Sequence, residues 1–586
     1  MKQFIITIAG VFVGLILFIG VGVFWLMASL VGAVNQASTH GGAMPAQVVL
    51  NLDLREPITD QRGGNFFGGG MNTLDIIRKL DAASTDPKVK GIYVRAATGG
   101  LDPAQAEEIR TALAKVRAAK KFVITHMQND GSSMSMLGYT ATAGSDELWL
   151  QETGDFMPMG ILSQNMYLGG ALQKFKVQAQ FEAREQYKDA VTQYTERGPT
   201  PASKEATTAM LASIYNTALA DIAADRKISV DAAKAAIEGT PYASADAVKL
   251  KLADKLGRPE DAAQAALDRA GGKAELFDLE RYSPPAKTTG PTIALVTAEG
   301  EIVSGPAQGP SLGGGNMISS DEISAALLQA ANDDKVKAIV FRVSSPGGSA
   351  VASDQISHAV ALAKQKGKKV VVSMGPYAAS GCYYISAGAD SIVALPTTIT
   401  GSIGIFGGKI VIGPALEYYL GVTTATNSVG SPNIEMFDST KPFTNEQRAV
   451  FATLIDRGYQ DFLGVVASGR HMTKDQVREV AKGRVWTGAQ AKERGLVDEL
   501  GGLDAAIARA KTLAGIKADE KVTLKLYPQA RNPIEELQAL FGVSTDAARA
   551  AVTLSAVMGD KRVEQALEAA EQRGALGARA EPMLVR

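Results

Sequence analysis

Short β-branched runs alternate along most of this chain with longer stretches whose apolar residues recur at helical spacing. In the second half, residues 293–296, 338–343, 369–373 and 391–395 read as strands, with 321–332 and 353–364 as helices between them. Such alternation predicts an α/β fold of βαβ units around a mainly parallel sheet. The N-terminus has a different pattern. Residues 4–34 carry no charge, a run longer than the roughly 20 residues that span a bilayer and the roughly 7–15 of a secretory signal. This predicts one uncleaved transmembrane anchor over residues 1–40. Lys2 precedes the run and no Lys or Arg occurs from 35 to 42. The tail is therefore expected in the cytoplasm, with the remainder exported. A removed signal cut near Ala33 or Ala37 is the alternative reading.

The pattern also repeats. Asp86-Pro-Lys-Val-Lys-Gly-Ile-Tyr-Val-Arg95 matches Asp333-Asp-Lys-Val-Lys-Ala-Ile-Val-Phe-Arg342, and Ala143-Gly-Ser-Asp146 matches Ala387-Gly-Ala-Asp390. The segment 243–257 then echoes 487–501. Three matches in one order, at nearly constant separation, imply two tandem copies of one α/β unit. The expected division is a first copy at 41–280, a Pro-rich linker at 281–291, a second copy at 292–520 and a tail at 521–586. A helical stretch at 563–571 is expected in that tail, and no chemistry is read from it.

Bulk properties exclude more than they select. The chain is 46% hydrophobic and 21% charged, with a formal net charge of -1, which implies no general attraction to nucleic acid. One cysteine excludes an intrachain disulfide, and four histidines argue against a His-rich metal site. No metal or cofactor is expected.

Candidate chemistry sits in two glycine-containing turns of the second copy. In Val343-Ser-Ser-Pro-Gly-Gly-Ser349, Gly347 and Gly348 leave backbone N–H groups at a strand-to-helix turn, where they can hold a developing oxyanion. The same pair also reads as a tight βα turn. In Met374-Gly-Pro-Tyr-Ala-Ala-Ser-Gly-Cys-Tyr-Tyr384 a helix is expected to begin near Ser380, with small neighbours that let a substrate approach its hydroxyl. An N-cap serine is the plain alternative. A nucleophilic serine needs a base. None of His40, His126, His358 and His471 falls in a loop that obviously faces Ser380. A buried lysine can serve instead, because burial lowers its pKa, but spacing alone picks out no particular lysine.

The Ser-Pro-Gly-Gly turn, Ala379-Ser-Gly and Thr400-Gly-Ser-Ile-Gly-Ile-Phe406, in that order, resemble the signal peptide peptidase A (protease IV) family in its long, duplicated form. The resemblance covers roughly residues 1–515. It implies the crotonase/Clp-protease superfold and a Ser-Lys dyad, with Ser380 as nucleophile. The family's Tyr-Lys-x-Ala-Val segment corresponds to Tyr187-Lys188-Asp189-Ala190-Val191, making Lys188 the base. By local sequence alone Lys188 is a solvated lysine between Glu185 and Asp189. The resemblance also implies oxyanion donors at Gly347, Gly348 and Gly381, and a lysine-orienting role for Ser402, which otherwise reads as a turn serine. Opposite Ser380 the first copy has Met136; opposite Lys188 the second has a residue near Ser431. Each copy thus lacks what the other carries, as a single composite site requires. The family pattern Ser-Gly-Gly is here Ser380-Gly381-Cys382, and Cys382 reads as a packed small residue or as a source of thiol sensitivity.

The implied function is a single-pass peptidase of the bacterial inner membrane, its catalytic part on the periplasmic side. Its substrates would be cleaved signal peptides or unfolded peptides. The implied assembly is a ring- or bowl-shaped homo-oligomer, with a tetramer among the options. Three rivals remain. A crotonase-type acyl-CoA enzyme has no use for the anchor. A Clp-like Ser-His-Asp peptidase needs a histidine about 25 residues past the serine, where Gly404 and Ile405 stand. An inactive membrane scaffold would be indifferent to Ser380.

Overall fold

The computed structural model describes residues 44–61, 70–97, 99–128, 135–284, 290–306 and 316–528. The expected anchor and the 563–571 helix lie outside these. Among the described residues no helix is long and apolar enough to cross a membrane.

The first copy contains strands β1 (Val48–Leu54), β2 (Val89–Ala97), β3 (Phe122–Gln128) and β4 (Glu147–Leu150), with helices α1 (Thr73–Thr85), α2 (Pro103–Ala118) and α3 (Leu137–Thr142). After β4 come β5 (Gln178–Ala183), the long helix α4 (Pro201–Arg226), β6 (Lys255–Leu256) and β7 (Glu275–Asp278). Its sheet runs β6-β4-β3-β2-β1-β7, and every pair in it is parallel.

The second copy repeats the plan with β8 (Thr292–Glu299), α5 (Ser320–Asn332), β9 (Val336–Ser345), α6 (Ala350–Gln365), β10 (Lys369–Ala379), α7 (Gly381–Ala387) and β11 (Ser391–Ala394). It continues through β12 (Ile399–Gly401), β13 (Phe406–Val411), the long helix α8 (Asn445–Arg470), β14 (Val485–Thr487), β15 (Glu499–Leu500), α9 (Leu503–Leu513) and β16 (Thr523–Tyr527). Its 8-stranded sheet follows β14-β12-β10-β9-β8-β16, with β11 beside β10 and β15 beside β11. Apolar side chains such as Val296, Phe341, Val372 and Ile392 fill one face beneath α5 and α6, while Leu295, Val340 and Val371 meet α9 on the other. Burial on both faces explains why these strands read as continuous apolar runs rather than alternating ones.

The duplication is visible in paired hydrogen bonds. The Tyr139 hydroxyl donates to the Leu252 carbonyl and the Tyr383 hydroxyl to the Leu496 carbonyl, each 113 residues further on and each 2.8 Å long. Arg226 closes on Asp254 as Arg470 closes on Asp498. Two expected boundaries need correction. Strand β16 pairs with β8 in parallel, so the second sheet runs to Tyr527 rather than stopping at 520. Tyr282, expected in the linker, is buried and donates its hydroxyl to Asp86, which ties it to the first copy.

Two features lock the copies together. Helix α2 of the first docks on the second through adjacent carboxylates. Glu108 binds Arg342 and accepts the Leu503 N–H at the start of α9, while Glu107 accepts the N–H and hydroxyl of Thr397. A carboxylate at a helix N-terminus satisfies an orphan donor and meets the positive end of the helix dipole. Burial pushes the Glu107 carboxyl up to about 8. The second feature is an antiparallel ribbon of one strand from each copy, β5 with β13, running from Ala183 opposite Phe406 to Gln178 opposite Val411. That ribbon delivers the segment after Ala183 to the second copy.

Candidate active site

The ribbon's outflow and one bent strand build the site. Strand β10 pairs with β11 as far as Met374, and beyond it Tyr377–Ala379 pair with β12 instead, while on the other edge Ser345 of β9 still meets Ala378 after a register shift. The Ser380 N–H extends that pairing to the Gly401 carbonyl at 2.8 Å, and Gly381 then opens α7. Ser380 is caught between the two directions at φ 55, ψ -120, a region that costs a residue with a Cβ about 1–3 kcal/mol. Its side chain makes no capping hydrogen bond to the helix, so its plain reading as an N-cap does not hold. The strand was expected to end near 373. It continues because Met374–Ala379 changes partner, a stretch whose Gly and Pro hide the β-branched pattern.

Lys188 enters from the other copy. Its Nζ donates to Ser380 Oγ at 3.0 Å, to the Ser402 carbonyl at 2.9 Å and to Ser402 Oγ at 3.0 Å. It is 5% exposed, which contradicts the solvated reading of its local sequence. The flanking carboxylates are engaged elsewhere. Asp189 accepts the hydroxyls of Thr192 and Ser203, and Glu185 faces Arg478. With no opposing charge to offset it, burial pushes the Lys188 ammonium down to about 7. Tight packing fixes the lysine stem. A Cβ on Gly483, whose φ is 74, would lie 2.6 Å from the Lys188 backbone nitrogen, and one on Gly404 would lie 3.2 Å from its Cδ.

The two glycines of the first turn differ. The Gly347 N–H donates to Ser345 Oγ at 3.1 Å and is occupied. Among the described residues, the N–H groups of Gly348 and Gly381 have no acceptor. The latter is the first residue of α7, where no intrahelical partner exists. The pair lies close: a Cβ on Gly381 would come 3.2 Å from the Gly348 nitrogen. Gly347, at φ 109, presses against Ser380, since a Cβ there would sit 2.8 Å from both the Ser380 Cβ and the Gly381 nitrogen. Gly348 is fixed by the Gly347 carbonyl accepting the Ile302 N–H and the Ser349 N–H donating to the Ile302 carbonyl.

The remaining expectations resolve simply. Cys382 is fully buried and that burial pushes its thiol far up, which supports its reading as a packed small residue. Met136 precedes α3 as Ser380 precedes α7, and Ser431 lies in an exposed loop. Sequence reading missed Ser345, Gly404 and Gly483. Only a glycine just ahead of β14 marked the Gly483 position, and nothing in the sequence tied it to Lys188.

A serine hydroxyl held by a buried amine, with unpaired backbone N–H groups beside it, is the equipment of an acyl-transfer enzyme. The chain belongs to peptidase family S49, whose model matches residues 115–272 and 362–517, one stretch in each copy. It is 32% identical over 524 residues to Protease 4 of Salmonella typhi, covering 85% of this chain and 82% of that one. It is 28% identical to the chloroplastic serine protease SPPA of Arabidopsis thaliana, covering 89% and 77%. A shorter match, 36% identical over 197 residues, is to a putative signal peptide peptidase SppA of Enterococcus faecium, covering 34% of this chain and 55% of that one. Against the solved structure of the ClpP1 N165D mutant from Listeria monocytogenes it aligns over 36% of its own length and 94% of the other's, at 17% identity and a TM-score of 0.24. The protein is a serine peptidase.

Proposed function

We propose that this peptidase is a membrane-anchored endopeptidase that cuts leftover signal peptides, with Ser380 as nucleophile and Lys188 as general base. The observation that carries this reading is an amine 3.0 Å from a serine hydroxyl, in surroundings dry enough to leave about half of it neutral at pH 7. A neutral amine has two N–H bonds and one lone pair. The Ser402 carbonyl can only accept, so it takes one N–H, Ser402 Oγ takes the other, and the lone pair faces the Ser380 proton.

In the forward step Ser380 Oγ bonds to a peptide carbonyl carbon while its proton passes to Lys188 Nζ. The N–H groups of Gly348 and Gly381 receive the oxyanion, a contribution of roughly 3–4 kcal/mol per donor. Collapse breaks the C–N bond, Lys188 returns the proton to the departing amine, and an ester remains on Ser380. Water then attacks the ester carbon as its proton passes to Lys188 Nζ, the bond from that carbon to Ser380 Oγ breaks, and Lys188 returns the proton to Oγ as the acid leaves.

The uncharged run at 4–34 supports the anchor and an exported catalytic part at a bacterial inner membrane. The name of the Enterococcus relative supports the substrate class. A homo-oligomer rests on the family resemblance. The test is to treat the full chain in detergent with a fluorophosphonate and map the adduct by mass spectrometry. Modification of Ser380 in wild type and none in Lys188→Ala is expected. An adduct on another serine would overturn the assignment.

A further inference from the structure

Lys188 belongs to one copy and both of its serine partners to the other, so its aim depends on what binds the two segments together. Three consecutive residues of the second copy run beside it. The Lys482 carbonyl accepts the Tyr187 N–H at 3.1 Å. Gly483 packs on the Lys188 backbone and donates its N–H to the Ile403 carbonyl at 3.1 Å. The Arg484 carbonyl accepts the Ser402 N–H at 2.7 Å. The stretch therefore touches the base on one side and the Ser402 loop on the other.

Within it, the Arg484 side chain reaches back to the first copy. Its two terminal nitrogens donate in parallel to the Glu205 carboxylate, near the start of α4, at 2.7 and 2.8 Å. Its guanidinium plane stands over the Tyr187 ring at 5.0 Å and the Trp486 ring at 4.3 Å. Arg484, with the Tyr187 hydroxyl beside it, holds the Glu205 carboxyl below its usual range. Tyr187 is thus covered on its ring and faces that carboxylate with its hydroxyl outside the site, while its neighbour Lys188 enters it. A flat fork that stacks and binds bidentately is what arginine offers and lysine does not.

We propose that Arg484 is a positioning residue for the base, acting through Tyr187 and the Ser402 loop to hold Lys188 in its dry socket. Arg484 touches neither substrate nor reacting atoms. The inference rests on the dyad reading above.

The test is kcat and KM of the full-length enzyme from pH 5.5 to 10 on a quenched-fluorescent apolar signal peptide, for wild type, Arg484→Ala, Arg484→Lys and Glu205→Gln. Loosening the clamp admits water to Lys188, which raises the pH at which its amine becomes neutral. For Arg484→Ala the acid limb of kcat is expected to move up by about one pH unit. That loses roughly fivefold at pH 7, recovers towards pH 10 and leaves KM within about twofold. Arg484→Lys fails to restore the limb, and Glu205→Gln moves it less in the same direction. Glu205 is half exposed, so that variant decides the matter if Arg484→Ala does not fold. Equal losses at every pH, with the limb unmoved, would overturn the positioning role while leaving the dyad standing. A wild-type profile that Lys188→Ala reproduces would overturn both.

Discussion

Met136 and Ser380 hold the same station in the two copies, each at the head of a short helix whose tyrosine bonds a carbonyl 113 residues further on. Their backbones differ. Ser380 is held at φ 55, ψ -120, whereas Met136 sits at φ -90, ψ -1, in ordinary helical territory. The strained posture accompanies the serine alone. A serine at Met136 therefore lacks the posture, and it lacks the amine as well, since the loop at Ser431 is exposed. The double variant Met136→Ser, Ser380→Ala is expected to turn over peptide at less than about one-thousandth of the wild-type rate. Turnover within tenfold of wild type would contradict the division of labour between the copies.

The pH dependence follows from the base. Lys188 must be neutral to accept a proton, and burial sets its pKa at about 7. Activity should fall roughly tenfold per pH unit well below that value and level off above it. A rate profile over pH 5–9 checks this, and a flat profile across pH 6–8 contradicts it.

The same burial costs stability. An unfolded lysine titrates near 10.5, so between about pH 7 and 10.5 the unfolded chain binds more protons than the folded one. Stability at this site therefore rises with pH across that window, and the penalty is full below it. Each unit of depression is worth roughly 1.4 kcal/mol, partly offset by the hydrogen bonds the amine makes. Lys188→Met should gain about 1–3 kcal/mol at pH 7, with the gain fading towards pH 10.5. Chemical denaturation at the two pH values reads it directly. A variant no more stable than wild type at pH 7 would count against a dry, neutral lysine.

Ser402→Ala removes one of the amine's partners and leaves the Ser402 carbonyl bond in place. A loss of about tenfold in kcat is expected, with little change in KM, on the scale of one hydrogen bond. No change in kcat would remove Ser402 from the machinery.

Much of the second copy was legible in its sequence. The runs at 293–296 and 338–343 fall inside strands Thr292–Glu299 and Val336–Ser345, and the helices at 321–332 and 353–364 fall inside Ser320–Asn332 and Ala350–Gln365. Doubly buried strands and amphipathic helices carry strong local patterns. Lys188 was not legible from its surroundings. Its socket is assembled by a ribbon joining strands from different copies and by a contact 192 residues away, with glycines at 404 and 483 as its walls. Local sequence showed only two flanking carboxylates, which in fact turn to Thr192, Ser203 and Arg478. The split between Gly347 and Gly348 was hidden for the same kind of reason, because it depends on where the Ser345 hydroxyl points.

Arg342 is fully buried between Asp60 and Glu108 of the other copy. Removing it strands two buried carboxylates, a change that typically costs about 3–5 kcal/mol. Arg342→Ala should therefore lower stability by that amount and weaken the fit between copies, read by denaturant unfolding. A loss under about 1 kcal/mol would mean that the cluster does not hold them together.

The composite dyad is tested most directly by purified full-length wild type, Ser380→Ala and Lys188→Ala on an apolar signal peptide, with circular dichroism to confirm folding. Two folded and inactive variants are the expected result. An active Lys188→Ala at pH 7 would contradict the dyad, leaving Ser380 with a base supplied from elsewhere.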